Sequence, residues 1–291
     1  MPKPYVLTLF APKRPETPNE IFNSADMNAY GLWAEFAELP HITMQFMSVY
    51  DKVREIPECD FALIHSYFGT PIYDRLPEIR TKTRCKIASI LETYYNGINY
   101  GLIDHHFTFL PQADAEQIPL PCYRLLLGNS IIKTANTILL DHQWSNTDKH
   151  EDICCMLYKW LKLYNHPVAQ LRRPAVEAIE IPIWVHSIPL TNYIDYLTQT
   201  ASYETFIITH RGSYEHSIID MAARGIRVLV PVKDGRTFCH PSMVKDMNLS
   251  TFSNREELFA LLGQSQLPQQ AQFTDMPDVV AKISAYYQAA K

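Results

Sequence analysis

Apolar positions along the chain gather into short runs separated by amphipathic segments. Tyr5 to Ala11 (YVLTLFA) reads as a buried strand, followed by a loop rich in proline and asparagine, Pro12 to Asn23. From Ser24 to Leu39 the residues Met27, Tyr30, Leu32, Trp33 and Phe36 recur near helical spacing and predict a helix. Ile42 to Val49, Phe61 to Ile64, Cys85 to Leu91 and Phe107 to Leu110 read as further strands, with Tyr123 to Leu127 as a sixth. Tyr73 to Thr81 is a helix or an irregular segment between two of them. A second series begins at Thr137, where TILLDHQW is a strand and loop. An amphipathic helix follows over Asp152 to Tyr164, its apolar positions being Cys155, Leu157, Trp160, Leu161 and Tyr164. Val168 to Leu171 is a short strand.

The stretch Ile181 to Pro231 is the most informative. It predicts a loop (His186 to Pro189), a helix (Asn192 to Gln199), a strand (Thr205 to Thr209), a turn holding Gly212, a helix (Ser213 to Arg224) and a strand (Arg227 to Val232). Ser213 is a natural N-cap, and Gly225 stands where a helix commonly ends on a left-handed residue. Strand, glycine turn, helix and strand make a βαβ unit of a doubly wound sheet. The free N–H groups at such a helix start form a site for phosphate. Asp220, two turns in, would reach sugar hydroxyls attached beyond it. A helix over Ser253 to Leu262 and a last one over Asp278 to Ala290 complete the chain. Strands alternating with helices throughout predict an α/β protein with parallel sheets.

The run IPLTNYIDYLTQTASYETFIITHRGSYEHSIIDMAARGIRVLVP resembles the nucleotide-sugar half of the GT-B glycosyltransferases, with Asp220-Met221-Ala222 where they place Glu-Ala-Met-Ala. The resemblance implies two facing Rossmann-like domains with a C-terminal helix crossing back. The expected division is 1–130 for the acceptor domain, 131–275 for the nucleotide-sugar domain and 276–291 for the returning helix. It implies further that Asp220 holds the ribose hydroxyls of a nucleotide diphosphate sugar. His210, Arg211, Gly212, Ser213 and Tyr214 would then face the phosphates, and the backbone from His186 to Ile188 the base. Gly212 stands eight residues before Asp220, so the paired glutamates of many retaining members are absent, which points to an inverting enzyme. The run DFALIHSYFGTP…CKIASILETYYN is similar to the matching part of the phage DNA β-glucosyltransferases. That likeness implies Glu92 as the general base, glucose from UDP-glucose as the donor group, and a hydroxymethylated pyrimidine in double-stranded DNA as acceptor. It also implies residence in the host cytoplasm of a phage.

Composition narrows this picture without redirecting it. With 47% apolar and 12% aromatic residues in 291, the chain has material for proper cores. No apolar run approaches the roughly 20 residues of a membrane span, and the N-terminal apolar stretch is too short for a signal peptide. The six cysteines lack CxxC spacing, which predicts buried thiols in a reducing cytoplasm. A net charge of −5 gives no general attraction to nucleic acid, so DNA binding would rest on a local run: Lys13, Arg14, Arg75, Arg80, Lys82, Arg84 and Lys86. HExxH, Walker A and GxGxxG patterns are absent.

Sugar transfer needs a group to take the proton of the acceptor hydroxyl and donors to stabilise the leaving diphosphate. Glu92 ends the strand CKIASIL and is read either as that base or as a solvated loop acid. Asp26, in the first turn of its helix, is the rival base or an acid complementing the helix dipole. Arg211 could fork onto a diphosphate or be a surface arginine. His216 and Asp220, four residues apart, share a helix face and can pair with each other. Glu215 is a first-turn acid, and the loop His142 to Asn146 lies where the family carries a phosphate loop. His105 and His106 are adjacent, so on a strand they point to opposite faces and do not make a metal site. Tyr67, Phe68, Tyr94 and Tyr95 stack on a sugar or base, or pack in the core. Beside a transferase, the sequence admits a binding module that holds a nucleotide sugar without turnover, and an epimerase of the same fold.

Overall fold

The computed structural model describes residues 4–21, 24–66, 70–91, 101–109, 114–118, 121–122, 133–141, 148–164, 167–172, 184–209, 216–264 and 274–289. The chain divides into two compact units, Met1–Pro121 with Thr274–Lys291, and Cys122–Phe273.

The first unit carries a sheet of β1 (Tyr5–Ala11), β2 (Ile42–Ser48), β3 (Cys59–His65), β4 (Thr83–Leu91), β5 (His105–Thr108) and β6 (Glu116–Gln117). Its spatial order is β2-β1-β3-β4-β5-β6, and every pairing is parallel. Strands that are buried on both faces read as continuous apolar runs, and β1, β3 and β4 do. α1 (Ser24–Ala37) buries Met27, Leu32 and Phe36 as its spacing predicts. The segment after β3 resolves into a 3₁₀ turn, Pro71–Arg75, and α2 (Leu76–Lys82). Phe10, Met47, Ile64, Ile72, Ile79 and Ile87 pack together as one core cluster under these elements. The predicted strand Tyr123 to Leu127 lies outside the described residues.

β7 (Pro121–Cys122) pairs with β15 (Thr274–Asp275) as a separate two-stranded sheet. The second unit holds β8 (Ile138–Leu140), α3 (Asp148–Tyr164), β9 (Val168–Arg172), β10 (His186–Pro189), α4 (Tyr193–Thr200), β11 (Thr205–Ile207), α5 (His216–Ala223), β12 (Arg227–Lys233), β13 (Arg236–Thr237), α6 (Pro241–Asp246), β14 (Ser250–Phe252) and α7 (Arg255–Leu262). The strands run β10-β9-β8-β11-β12, with β14 parallel to β12 and β13 closing an antiparallel hairpin on it. This is the order of a doubly wound sheet that reverses direction between β8 and β11.

Three local readings change. His186–Pro189 is an edge strand parallel to β9 and not a loop. Its proline is the last residue of an edge strand, the place where a missing N–H costs least. On α3 the buried stripe is Ile153, Leu157 and Trp160, whereas Tyr164 is 53% exposed and Cys155 is exposed too. Of the free thiols, Cys59 and Cys239 are buried but Cys85 and Cys155 are exposed, so burial is not general.

The last helix, α8 (Met276–Gln288), lies alongside α1 and belongs to the first unit. Val279, Val280, Ile283 and Tyr287 are its buried side. The Tyr287 hydroxyl donates to the Ala62 carbonyl of β3 at 3.0 Å. Lys282 donates to the Gln117 carbonyl at 2.7 Å and pairs with Glu116 at 3.1 Å, while Tyr286 stacks on His105 at 4.5 Å.

Candidate functional site

The reversal between β8 and β11 in the second unit is where a doubly wound sheet opens a crevice at its carboxyl edge. Both strands end there on polar residues. Asp141 follows β8 and is fully buried; its N–H donates to the Ile207 carbonyl at 3.0 Å. The hydroxyl of Thr209 donates to the Asp141 carbonyl at 3.2 Å, and that of Ser217, in the first turn of α5, to its Oδ2 at 3.4 Å.

α5 presents Ile218, Ile219, Met221 and Ala222 to the core, and Asp220 points inward among them. The helix stops on Gly225 (φ +71°), whose N–H donates to the Ala222 carbonyl at 3.0 Å while Ile226 N–H donates to Met221 at 3.0 Å. That pair of bonds is a Schellman end, as the sequence predicts. The exit fixes where α5 leaves the sheet and so where Asp220 sits.

Asp220 is 1% exposed. Its Oδ2 accepts a 2.6 Å hydrogen bond from the hydroxyl of Tyr193, at the start of α4. Its Oδ1 is buried with no hydrogen-bond partner among the described residues. Burial pushes the carboxyl up to about 7, against the Tyr193 bond and the Arg224 charge, which pull it down. A buried carboxylate left half-satisfied is costly, and it titrates upward to shed its charge. A ligand hydroxyl reaches Oδ1 only by displacing the protein that covers it.

Arg224 does not pair with Asp220. Its guanidinium donates to Thr200 Oγ1 at 2.7 Å and to the Leu197 carbonyl, closing the end of α4. Lys133 joins it, donating to the Ala201 carbonyl at 2.6 Å; burial and the Arg224 charge push its ammonium down to about 8. Cations on a helix C-terminus satisfy carbonyls that have no partner within the helix. α4 begins equally deliberately, with Asn192 Oδ1 accepting from Asp195 N at 2.9 Å.

Among the other predicted residues, His186 is exposed on β10 and Ile188 is buried beside it. His216 is buried in the first turn of α5. His210, Arg211, Gly212, Ser213, Tyr214 and Glu215 lie outside the described residues, as do Glu92, His142 to Asn146, and Tyr67, Phe68, Tyr94 and Tyr95. Asp26 is 6% exposed in the first turn of α1, the position at which an acid complements the helix dipole. His105 and His106 have separate partners, Glu116 at 3.0 Å and Ser89 at 2.6 Å. Among the described residues no group of His, Cys, Asp or Glu forms a metal cluster, and no helix is long and apolar enough to cross a membrane.

The basic run is corrected by its neighbours. Arg75 pairs with Glu78 at 2.8 Å, Arg80 with Asp104 at 2.7 Å, Lys82 with Glu55 at 2.9 Å, and Arg84 with Glu58 at 3.3 Å. Arg14 pairs with Glu16 at 3.4 Å and lies over the Trp33 ring, and Lys13 donates to the Glu20 carbonyl. Acids interleave these cations, so the run is not a one-signed face for a phosphate backbone.

No family model and no curated protein matches the chain. Solved structures do. An α-glucosyltransferase in complex with UDP and a 13-mer DNA containing an HMU base matches over 98% of this chain and 100% of its own, with 9% identity and a TM-score of 0.63. UDP-GlcNAc 2-epimerase from Neisseria meningitidis bound to UDP-GlcNAc matches over 98% and 100%, with 12% identity and a TM-score of 0.59. UDP-GlcNAc 2-epimerase from Methanocaldococcus jannaschii matches over 96% and 99%, with 8% identity and a TM-score of 0.59. The fold of this chain is therefore of the GT-B type, as the sequence predicts.

Proposed function

We propose that this chain is a glycosyltransferase that moves a sugar, glucose in the first instance, from a UDP-sugar to a hydroxyl acceptor. The observation that carries the reading is Asp220: a buried carboxylate with one oxygen unpartnered among the described residues, on the helix that follows β11 in a GT-B fold. A hydroxyl donor, such as one of a ribose, is what such an oxygen lacks. The solved structures of like fold that bind UDP or UDP-GlcNAc support the choice of nucleotide. The diphosphate is assigned to the turn His210 to Tyr214, and the base to the backbone of β10 from His186 to Ile188. Proton abstraction from the acceptor is assigned to Glu92, with the buried Asp26 as its rival.

A hydroxymethylated base in DNA is the acceptor to test first, because a neighbour of the same fold was solved with DNA containing an HMU base. The acid-interleaved basic run weakens that choice, and another hydroxyl compound follows it. The epimerase neighbours favour one second reading, acceptor-independent interconversion of the donor sugar.

The deciding experiment incubates the protein with UDP-glucose or UDP-GlcNAc, with and without hydroxymethylated DNA, and follows UDP release and product by mass spectrometry and anomeric proton signals. Transfer, or UDP release that needs Asp220, supports the transferase. Donor interconversion without acceptor establishes the epimerase. Binding of UDP with no turnover leaves a nucleotide-sugar binding module, and no nucleotide binding removes the reading altogether.

A further inference from the structure

Tyr193 was not singled out by any sequence pattern, yet among the described residues its hydroxyl makes the one hydrogen bond to the Asp220 carboxylate. The ring is 7% exposed and lies 5.6 Å from Tyr196 on the next turn, so the hydroxyl is held by a packed aromatic pair. Helix α4, which carries it, is fixed at both ends by Asn192 and by Arg224 with Lys133. The bond spans 27 residues of sequence and joins two helices that flank β11. Bonding one carboxylate oxygen fixes the side-chain rotamer and thereby the direction of the other.

We infer that Tyr193 is a positioning residue for nucleotide binding, its hydroxyl fixing the Asp220 rotamer so that Oδ1 meets the sugar hydroxyls of a nucleotide that displaces the protein now covering it. The inference rests on the nucleotide-sugar reading above and deepens it. It gives binding a definite dependence on pH. Ribose hydroxyls donate best to the ionised carboxylate, so nucleotide binds more tightly as pH rises through the titration of Asp220 near neutrality. Tyr193 favours that ionised form, because a hydrogen bond to the charged group stabilises it. The other charged group acting on this carboxylate is Arg224, just past the end of α5, which in turn interacts with Tyr196 of α4 and with Lys133. Lys133 titrates nearby, so the assignment needs a comparison of variants and not a single profile.

The test uses the full chain as wild type, Tyr193→Phe, Asp220→Asn and the double variant. UDP affinity is measured by calorimetry from pH 6 to 9, and stability without ligand by denaturant unfolding over pH 4 to 9. Tyr193→Phe keeps the ring, and is expected to weaken UDP binding about tenfold at pH 7 and less at pH 9. In the ligand-free protein it should raise the midpoint of the Asp220-dependent stability change by about one pH unit. Adding Tyr193→Phe to Asp220→Asn should leave the pH profile unchanged.

A Tyr193→Phe protein that binds UDP like wild type at every pH overturns the inference. So does one that is weaker by a constant factor with an unmoved midpoint, which would make the contact packing alone. Wild-type UDP affinity that is flat from pH 6 to 9 overturns it while leaving nucleotide binding intact. Absence of UDP binding by wild type removes the nucleotide reading itself, and the role of Tyr193 in it.

Discussion

In the first unit Lys82 and Arg84 meet carboxylates at the surface; in the second, Arg224, Lys133 and Arg227 donate hydrogen bonds to backbone carbonyls. Arg227 donates to Leu261 at 2.7 Å and Gln264 at 3.1 Å, closing the end of α7 as Arg224 and Lys133 close that of α4. The same residue types thus act differently at these two sets of positions, and Arg75 of the first unit does both, pairing with Glu78 and donating to the Asp51 and Arg54 carbonyls. Exposed ion pairs gain little, because water screens them and two long side chains lose freedom to make them. A partly buried cation that caps a helix supplies a charged donor to carbonyls that have no partner within the helix, so removing it costs more. In the second unit the cations near Asp220 are turned toward helix ends, and its carboxylate is left to Tyr193.

The largest effect that would sharpen this contrast is on ligand binding. Asp220→Ala should reduce UDP affinity by a hundredfold or more, about 3 kcal/mol, as calorimetry would read. Next, Arg224→Met should destabilise the protein by about 2–3 kcal/mol in denaturant unfolding, since it strips the Leu197 carbonyl and the Thr200 hydroxyl of a charged donor. If Arg224→Met is as mild as a surface change, the contrast collapses.

A pH experiment comes third. The folded-state titration of Asp220 is raised to about 7, above the roughly 3.9 of an unfolded chain, so the native state holds the proton more firmly. Its contribution to stability is full below pH ~4 and is lost as pH rises through about 7. Asp220→Asn should therefore flatten the stability profile between those limits, and at pH 8 match or exceed wild type while failing to bind UDP. Smaller again, Gly225→Ala should cost about 1 kcal/mol, because φ is +71° there although no atom lies in the way of a Cβ. Smallest, Lys82→Ala and Arg84→Ala in the first unit should each leave the denaturant midpoint close to that of wild type, because exposed ion pairs gain little.

What could be read from the chain alone divides by range. Gly225 and the apolar spacing of α1 act within a few residues, and each appears in the structure as the sequence implies. The Asp234-Gly235 pair was equally local: with φ of 54° and 70° it makes the hairpin of β12 and β13, and Asp-Gly is a common signal for such a turn. Edge strand β10 was not legible, since it exists only by pairing with β9. The exposed side of α3 was misread for a related reason. Periodicity finds a stripe of apolar residues, but the neighbours decide which of Leu157, Trp160 and Tyr164 it covers. Asp220 was reached by resemblance and helix position; Tyr193 was not, because nothing local distinguishes a tyrosine bound to a carboxylate from one in a core.

Helix α8 also sets an order of events. The run that forms the second unit, Cys122–Phe273, is continuous, whereas the first unit is assembled from residues at both ends of the numbering. As a ribosome makes the chain, the sheet of β1 to β6 emerges early but waits for Val279, Ile283 and Tyr287 to cover it. The half begun first is completed last, and until then its apolar flank is the surface most open to aggregation or to a chaperone.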